Sequence, residues 1–331
     1  MEGATGRHSS VRRVFGDILR LGLAFWAVLF VVLLILSHLV ALAIAVAVVP
    51  GELIHRSVSL YLVTPWPVSI VTIGGAVLVA YFIAVVAAIL LATARTAVRS
   101  RTFPSELRRL VAFRHPGASS DVMLLIHILL IHLALAMLYI ICLHAVGISM
   151  RTPDFESMPD WELLFILANA SVYEEGITRV LMIGLPLLVV DILRRRWHPV
   201  RRYIVGGGLP LDTPALVLLA ASSTVFALAH VVEGWDVWKF PPTLLAGLMF
   251  GVLFLRRGLH ASIMFHFMID YLAVSPMLNL PTAYIVSMAL VQALLVLSAL
   301  PLGLYLTHRY ALMCLRAIRL RRRNDRGITD V

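Results

Sequence analysis

Long runs of apolar residues recur along this 331-residue chain, and they restrict its fold more than any other feature. A run of about 20 residues can cross a hydrocarbon core of about 30 Å as a helix. Apolar residues make up 60% of the chain and charged residues only 14%, which excludes an ordinary soluble protein. We therefore predict an all-α, multi-pass membrane protein, a bundle of about eight transmembrane helices. The predicted spans are residues 21–49, 68–92, 122–147, 161–193, 214–232, 241–255, 258–278 and 284–306.

The basic residues fall almost entirely on one side of this predicted bundle. Of the 28 lysines and arginines, 24 lie on the side that holds both termini. Arg56, Arg151 and Lys239 lie on the other side, and Arg179 lies inside a span. This asymmetry predicts that both termini are cytoplasmic, in a protein of the cell membrane. The net charge of +10 is then explained by topology and by contact with the lipid bilayer, so we expect no nucleic-acid partner.

Residues 173–179 place charged side chains inside the fourth predicted span. Each such charge costs at least about 2.5 kcal/mol at the centre of a bilayer, so it indicates a functional site. Glu175 and Arg179 are four residues apart, face each other on a helix and can neutralise each other. Glu174 is rotated by roughly 100° from Glu175 and is left free for chemistry. A purely structural ion pair would explain Glu175 and Arg179 but not Glu174.

Three more polar residues lie at membrane depth on two other spans. His230 is near the end of the fifth span, and His266 and Asp270 share one face of the seventh. A carboxylate with a nearby imidazole can take a proton from water, and a second imidazole can stabilise an oxyanion, which suits peptide hydrolysis. Glu174, His230 and His266 could also bind Zn²⁺, since two histidines and a carboxylate form a known catalytic ligand set. The residues themselves require no metal or other cofactor.

The helical rise gives the depth of each candidate residue in the membrane. Glu174 should lie about 20 Å from the outer boundary and His266 about 18 Å from it. His230 should lie about 24 Å from the inner side, which is close to the outer surface. We nevertheless expect the three to converge, because an isolated His230 would leave Glu174 without its partner. The fifth helix would then begin before the bilayer or be strongly tilted.

Taken in order, these residues resemble the motifs of the CAAX-protease and bacteriocin-processing (CPBP, or Abi) family, also called type II CAAX endopeptidases. Residues 174–179 match Glu-Glu-x-x-x-Arg, and residues 226–230 match Phe-x-x-x-His. Residues 266–270 match the third motif, in which His is followed four residues later by Asn or a similar polar residue. The resemblance implies an α-helical intramembrane endopeptidase that acts on a membrane-associated protein or peptide substrate.

The resemblance also implies a role for each matched residue. Glu174 and His230 would activate water, and His266 with Asp270 would hold the oxyanion. Asp270 stands where the best-studied members have asparagine, and an ionised aspartate only accepts hydrogen bonds and would repel an oxyanion. Asp270 would therefore have to be protonated, orient His266 or bind metal. The supporting residues implied by the resemblance are Glu175, Arg179 and Phe226.

The chain divides into three regions of one integrated membrane domain. Residues 1–160 form an N-terminal three-span region, residues 161–280 the catalytic core, and residues 281–331 the last span with a basic cytoplasmic tail. Two alternatives to an enzyme remain open. A non-catalytic membrane partner or immunity protein would keep the polar cluster for packing, and an ion- or proton-coupled transporter would use Glu174 and Asp270 as a relay. The sequence shows no internal repeat of the kind that favours a transporter.

Overall fold

A computed structural model describes residues 4–62, 68–111, 118–155 and 157–327, and it is built almost entirely of helices. The helices are α1 (Ala4–Leu53), α2 (Gly75–Val98), α3 (Phe103–Val111), α4 (Asp121–Ala145), α5 (Asp160–Glu175), α6 (Leu185–Leu193), α7 (Arg201–Val205), α8 (Thr213–Val232), α9 (Phe240–Arg256), α10 (Leu259–Val274) and α11 (Thr282–Gly327). A π-helical segment, Gly176–Gly184, joins α5 to α6 without a break. Short 3₁₀ turns precede α9 and follow α10.

Seven helical segments in the described part of the chain are long and apolar enough to cross a membrane. They are Ala24–Leu53, Gly75–Val98, Asp121–Ala145, Asp160–Leu193, Thr213–Val232, Val237–Arg256 and Thr282–Arg316. The predicted all-α, multi-pass membrane class is confirmed. The remaining predicted span, residues 258–278, corresponds to α10, whose 16 residues extend about 24 Å. This helix is shorter than predicted because a 3₁₀ turn that contains Pro276 ends it.

The segment between the first two spans differs from the prediction of a loop over residues 50–67 followed by a helix from residue 68. Helix α1 continues through Pro50 to Leu53, and strands β1 (Ser57–Leu62) and β2 (Val68–Gly74) then form an antiparallel hairpin. The predicted loop and helix start are therefore wrong. At the base of the hairpin, a Cβ on Gly74 would lie 2.9 Å from the Arg56 carbonyl oxygen, so only glycine fits there. Residues 63–67 lie outside the described part.

Helix α10 is the centre of the bundle, since it packs against α1, α2, α4, α5 and α9. Its buried side chains belong to two apolar clusters. Phe265 packs in the cluster shared with α1, α4, α9 and α11, whereas Phe267 and Tyr271 pack in the cluster shared with α1, α2 and α5. Glycine allows a close helix contact: a Cβ on Gly303 of α11 would lie 2.1 Å from a carbonyl oxygen of α4. Every functional side chain on α10 is therefore held from several directions.

A polar network closes the end of the bundle at which most arginines lie. Asp121, fully buried at the start of α4, contacts Arg99 at 2.8 Å, His260 at 3.0 Å and Arg257 at 3.2 Å. Glu106 of α3 accepts hydrogen bonds from both the backbone and the hydroxyl groups of Ser119 and Ser120, just before α4. These contacts fix α2, α3, α4 and α9 at this arginine-rich face.

Burial of Glu106 opposes its ionisation, but hydrogen bonds from Ser119, Ser120 and Thr102 outweigh this and lower its pKa to about 2 from the usual 4.5. A depressed carboxyl pKa contributes stability above the unfolded-state pKa, and that stability is lost as the pH falls through the folded-state value. Glu106→Gln should therefore lower the free energy of unfolding at pH 7 by about 1–3 kcal/mol.

This prediction is checked by unfolding the purified protein in detergent at several pH values. The difference between wild type and Glu106→Gln should shrink as the pH falls from about 4.5 towards 2. Glu52→Gln, which changes an exposed glutamate paired with Arg56 at 3.8 Å, is the matched control and should show little effect. A difference that is independent of pH would contradict the ionised hydrogen-bonded state of Glu106.

The orientation of the bundle in the membrane can also be tested. Because the basic residues are so unevenly distributed, tags fused to either terminus should be inaccessible from outside intact cells. A tag inserted within residues 152–160, between α4 and α5, should be accessible. Labelling with a membrane-impermeant reagent, before and after permeabilisation, measures both. Labelling of either terminus from outside would overturn the predicted topology.

Candidate active site

The two adjacent glutamates lie where the α-helical geometry of α5 ends. Glu174 and Glu175 are the last residues of α5, and the following nine residues, Gly176–Gly184, are wound as a π-helix. Wider winding of this kind is uncommon and occurs frequently at functional sites. The helical path continues past Pro186 to Leu193. The charged segment 174–179 therefore lies across the change from α- to π-helix.

Glu175 and Arg179 form the ion pair that their spacing predicted. The Arg179 Nε donates to Glu175 Oε2 at 3.1 Å, and both side chains are fully buried. Arg179 Nη1 also donates to the hydroxyl of Ser222 on α8 at 3.2 Å. The rings of Phe226 and Phe250 lie on the guanidinium, each with its centroid 5.5 Å from Cζ. Arg179 thereby connects the π-helical segment to both α8 and α9.

Glu175 has two further partners, and both are on α10. Ser262 donates its hydroxyl proton to Oε2, and His266 Nδ1 lies 3.0 Å from Oε1. The sequence pattern indicated Arg179 as the partner of Glu175, and Ser262 was not predicted. A signal was present, since Ser262, His266 and Asp270 are spaced four residues apart and form one polar stripe along α10. Glu175 is therefore a fully buried carboxylate that accepts from two helices.

His266 lies among three carboxylates. A carboxylate only accepts hydrogen bonds, so the ring nitrogen that faces Glu175, Nδ1, carries a proton. The other nitrogen, Nε2, lies 3.3 Å from Asp270 Oδ2 and 3.8 Å from Glu174 Oε2. The phenyl ring of Phe250 stacks on the imidazole at 4.7 Å, and Phe226 meets it edge-on at 6.0 Å. These contacts fix both the position and the orientation of the ring.

Glu174 differs from its neighbour because it lacks partners of this kind. Its side chain is 20% exposed, whereas that of Glu175 is fully buried. Among the described residues, no donor forms a hydrogen bond to the buried Oε2 of Glu174. Buried polar atoms nearly always have a partner, so an unpaired carboxylate oxygen indicates a position for water or another ligand.

His230 reaches the same region from the end of α8. Its Nδ1 lies 2.9 Å from the carbonyl oxygen of Phe226. A carbonyl only accepts, so Nδ1 carries the proton and Nε2 is the nitrogen available to a ligand. The ring of Phe226 lies against His230 at 4.7 Å and also contacts His266. Phe226 therefore acts as a spacer between the two imidazoles.

His230, His266 and Asp270 line one cavity of about 80 Å³. Glu174 joins this group through its contact with His266. Depth estimates from helical rise placed His230 apart from the others, but the structure brings its ring to the same cavity as His266. Asp270 lies only one turn before the end of α10, and His230 lies in the last turn of α8. The cavity is therefore closer to the arginine-poor face, at which α8 ends and α9 begins.

Two other titratable residues line this cavity and were not predicted to be part of the site. His132 of α4 is buried, and Lys239, the only lysine in the chain, lies at the start of α9. The Lys239 ammonium lies 3.6 Å from the ring centroid of Trp235 and 5.7 Å from that of Trp238, in a cation–π arrangement. From the sequence, Lys239 was interpreted only as a marker of topology. The sequence did hold one signal, since Lys239 is the only lysine beside 27 arginines.

The residues proposed as zinc ligands do not assemble into a metal site. In the described parts of the chain, no group of three or more histidine, cysteine, aspartate or glutamate side chains is arranged to hold a metal ion. Both nitrogens of His266 already face carboxylates, Nδ1 at 3.0 Å from Glu175 and Nε2 at 3.3 Å from Asp270. We therefore derive no chemical step through zinc.

Comparison with known proteins gives one match. Residues 157–272 match the family model described as Rce1-like, type II CAAX prenyl endopeptidase Rce1-like. The matched segment runs from the start of α5 to the last turn of α10 and contains every residue that was assigned to the site from the sequence. No curated protein matches the chain. No solved structure matches it either.

The buried ion pair gives a test by double-mutant cycle. Arg179→Ala should destabilise the protein by about 3–5 kcal/mol, because it leaves the Glu175 carboxylate buried without its guanidinium. Adding Glu175→Gln should restore part of that stability, since the amide carries no charge and its oxygen can still accept from either Ser262 or His266. Unfolding in detergent gives the free energies.

The control for this cycle is Arg194→Ala, which removes the same charge from an exposed position at the end of α6. It should change stability by less than about 0.5 kcal/mol. If Arg179→Ala and the double variant prove equally stable, Glu175 and Arg179 are not energetically coupled.

Proposed function

We propose that this multi-pass membrane protein, whose residues 157–272 match the family model of type II CAAX prenyl endopeptidases, is a protease that cleaves a peptide bond with water activated by Glu174 and His230. The substrate is a membrane-associated protein or peptide. The observation that carries the proposal is the unpaired, buried carboxylate oxygen of Glu174, which lies 3.8 Å from Nε2 of His266, a residue that lines one cavity together with His230.

Water is activated by one oxygen of Glu174 and one nitrogen of His230, for which the described residues provide no other hydrogen bond. The Oε2 of Glu174 and the Nε2 of His230 can each accept a proton, since Glu174 has an unpaired oxygen and the tautomer of His230 leaves Nε2 free. Water held between them attacks the carbonyl carbon of the scissile bond, and its proton passes to this pair. When the C–N bond breaks, the same proton is returned to the departing amine. The products are a carboxylate and an amine.

His266 is the donor for the oxyanion that forms on the carbonyl oxygen. Its Nδ1 is held by Glu175, so its Nε2–H can be directed at the cavity. Asp270 is the departure from the family motif, and its contact with Nε2 gives it a role as the residue that orients His266. Glu175 and Arg179 support this arrangement from behind, and Phe226 keeps the two imidazoles apart.

Access to the cavity is proposed to be from the arginine-poor face. The last turns of α8 and α10 and the start of α9, which all lie towards that face, supply His230, Asp270 and Lys239. If the arginine-rich face is cytoplasmic and the protein lies in the cell membrane, the bond that is cut lies on the outer side. A volume of about 80 Å³ holds only two or three water molecules, so a peptide must widen the cavity as it enters.

The decisive variant is Glu174→Gln, which keeps the shape of the side chain and removes the base. Comparing membrane proteins from cells with and without the gene identifies a cleaved substrate, and that substrate is then incubated with purified enzyme. Glu174→Gln should reduce the cleavage rate by at least about 100-fold, the usual size of a general-base contribution. His230→Gln should have an effect of similar size.

The matched control is Glu162→Gln, on the first turn of the same helix. It should cleave at the wild-type rate, and all variants should unfold at similar temperatures. Cleavage should also survive treatment with a zinc chelator. Unchanged cleavage by a folded Glu174→Gln variant would refute the proposed base. Loss of cleavage with the chelator, together with zinc in the purified protein, would replace the metal-free mechanism.

A further inference from the structure

Six arginines surround a cavity of about 460 Å³ at the arginine-rich face, on the side of the bundle away from Lys239. They come in pairs from α2, from α7 and from the end of α9. We call this cavity the arginine basin, and its arginines are Arg95, Arg99, Arg201, Arg202, Arg256 and Arg257.

The positive charge of the basin is only partly neutralised. Asp121 pairs with Arg99 at 2.8 Å and with Arg257 at 3.2 Å. Arg257 also donates to the carbonyl oxygens of Ala118 and Ser119. Within the described ranges, the other four arginines of the basin form no ion pair. Four exposed guanidinium groups around one cavity repel each other unless an anion lies between them.

A glycine loop holds the arginine pairs in place. Residues 206–208 all have positive φ, from 70° to 87°, and a Cβ on Gly206 would lie 2.4 Å from the carbonyl oxygen of Phe254. The loop donates backbone hydrogen bonds to the last carbonyls of α9, from Gly207 at 2.8 Å and from Gly208 at 3.2 Å. Only glycine permits this contact. The loop thereby fixes the pair from α7 beside the pair from α9.

A second cavity, of about 730 Å³, adjoins the basin and has mainly apolar walls. The two cavities share Gly208, Arg256 and Arg257. We call the second cavity the apolar groove, and its apolar lining residues are Leu124, Ile128, Leu209, Pro210, Val252 and Leu253. An apolar groove that leads away from a cluster of cations, at one end of a transmembrane bundle, has the polarity of a phospholipid.

We propose that the arginine basin and the apolar groove together form a binding site for an anionic phospholipid. The phosphate lies among the guanidinium groups, which bind phosphate oxygens in pairs through their forked N–H donors. An acyl chain lies in the groove. A soluble phosphate would share the chemistry of the basin but would leave the groove empty, so the groove is what favours a lipid.

The site is tested by lipid titration of the full-length protein in detergent, with native mass spectrometry to count bound lipid. Phosphatidylglycerol should bind much more tightly than phosphatidylcholine. The variant R201Q/R202Q should weaken binding of phosphatidylglycerol at least about tenfold, because each basic residue contributes about 1 kcal/mol to contact with anionic lipid. Arg99 and Arg257 are left unchanged because they hold Asp121.

The control R108Q/R109Q removes the same charge from an exposed adjacent pair on α3, outside the basin. It should bind phosphatidylglycerol as wild type does. Val252→Trp, which fills the groove without changing charge, should weaken binding of the lipid but not of inorganic phosphate. Its unfolding temperature is measured in parallel, and Ile128→Trp is the second groove variant if the first is unstable.

Three outcomes would overturn the proposal. Equal loss of binding in both arginine double variants would show that the lipid responds only to overall charge. If inorganic phosphate competes with phosphatidylglycerol at equal concentration, and folded groove variants bind the lipid normally, the site takes a soluble anion. Equal binding of phosphatidylcholine would show that the basin does not recognise charge.

Discussion

The buried carboxylate of Glu175 is the interaction on which the rest of the site depends. It is fully desolvated and accepts from Arg179 on its own helix and from Ser262 and His266 on α10. Removing a carboxylate from water costs several kcal/mol, and the cost is recovered only when its partners are correctly placed. Arg179 extends the network to Ser222 on α8. One charge therefore determines how three helices lie relative to one another.

The difference between Glu174 and Glu175 comes from their surroundings, since the two residues are chemically identical. A rotation of roughly 100° directs one carboxylate towards three hydrogen-bond donors and the other towards His266 alone. Glu175 cannot leave its partners without becoming a buried charge that has no partner. Glu174 has an oxygen with no hydrogen bond in the described part of the chain, so it is free to bind water. The fixed surroundings of Glu175 thus hold the helix in place while Glu174 stays free to react.

The sequence predicted features that depend on a single helix, and it was less successful with those that depend on how helices meet. Apolar runs gave the membrane helices, and a spacing of four residues gave the pair of Glu175 and Arg179. The β1–β2 hairpin was missed because its strands are short and are as apolar as the long helices on either side. The role of Ser262 and the position of Lys239 at the cavity depend on helix rotation and tilt, which a single sequence does not encode in a readable pattern. The meeting of His230 with His266 at one cavity likewise depends on how the helices are placed, which helical rise along one span does not give.

Helix α9 runs from the cavity that contains the site to the arginine basin. Lys239 precedes its first turn beside the cavity, whereas Arg256 and Arg257 lie at its far end in the arginine basin. The arginines from which the orientation of the bundle is predicted would therefore also determine the side of the membrane from which the cavity is reached. Reversing the bundle would leave every distance in the site unchanged, yet it would present the site to the opposite compartment. For a protease of this kind, topology selects substrates as directly as the shape of the cavity does.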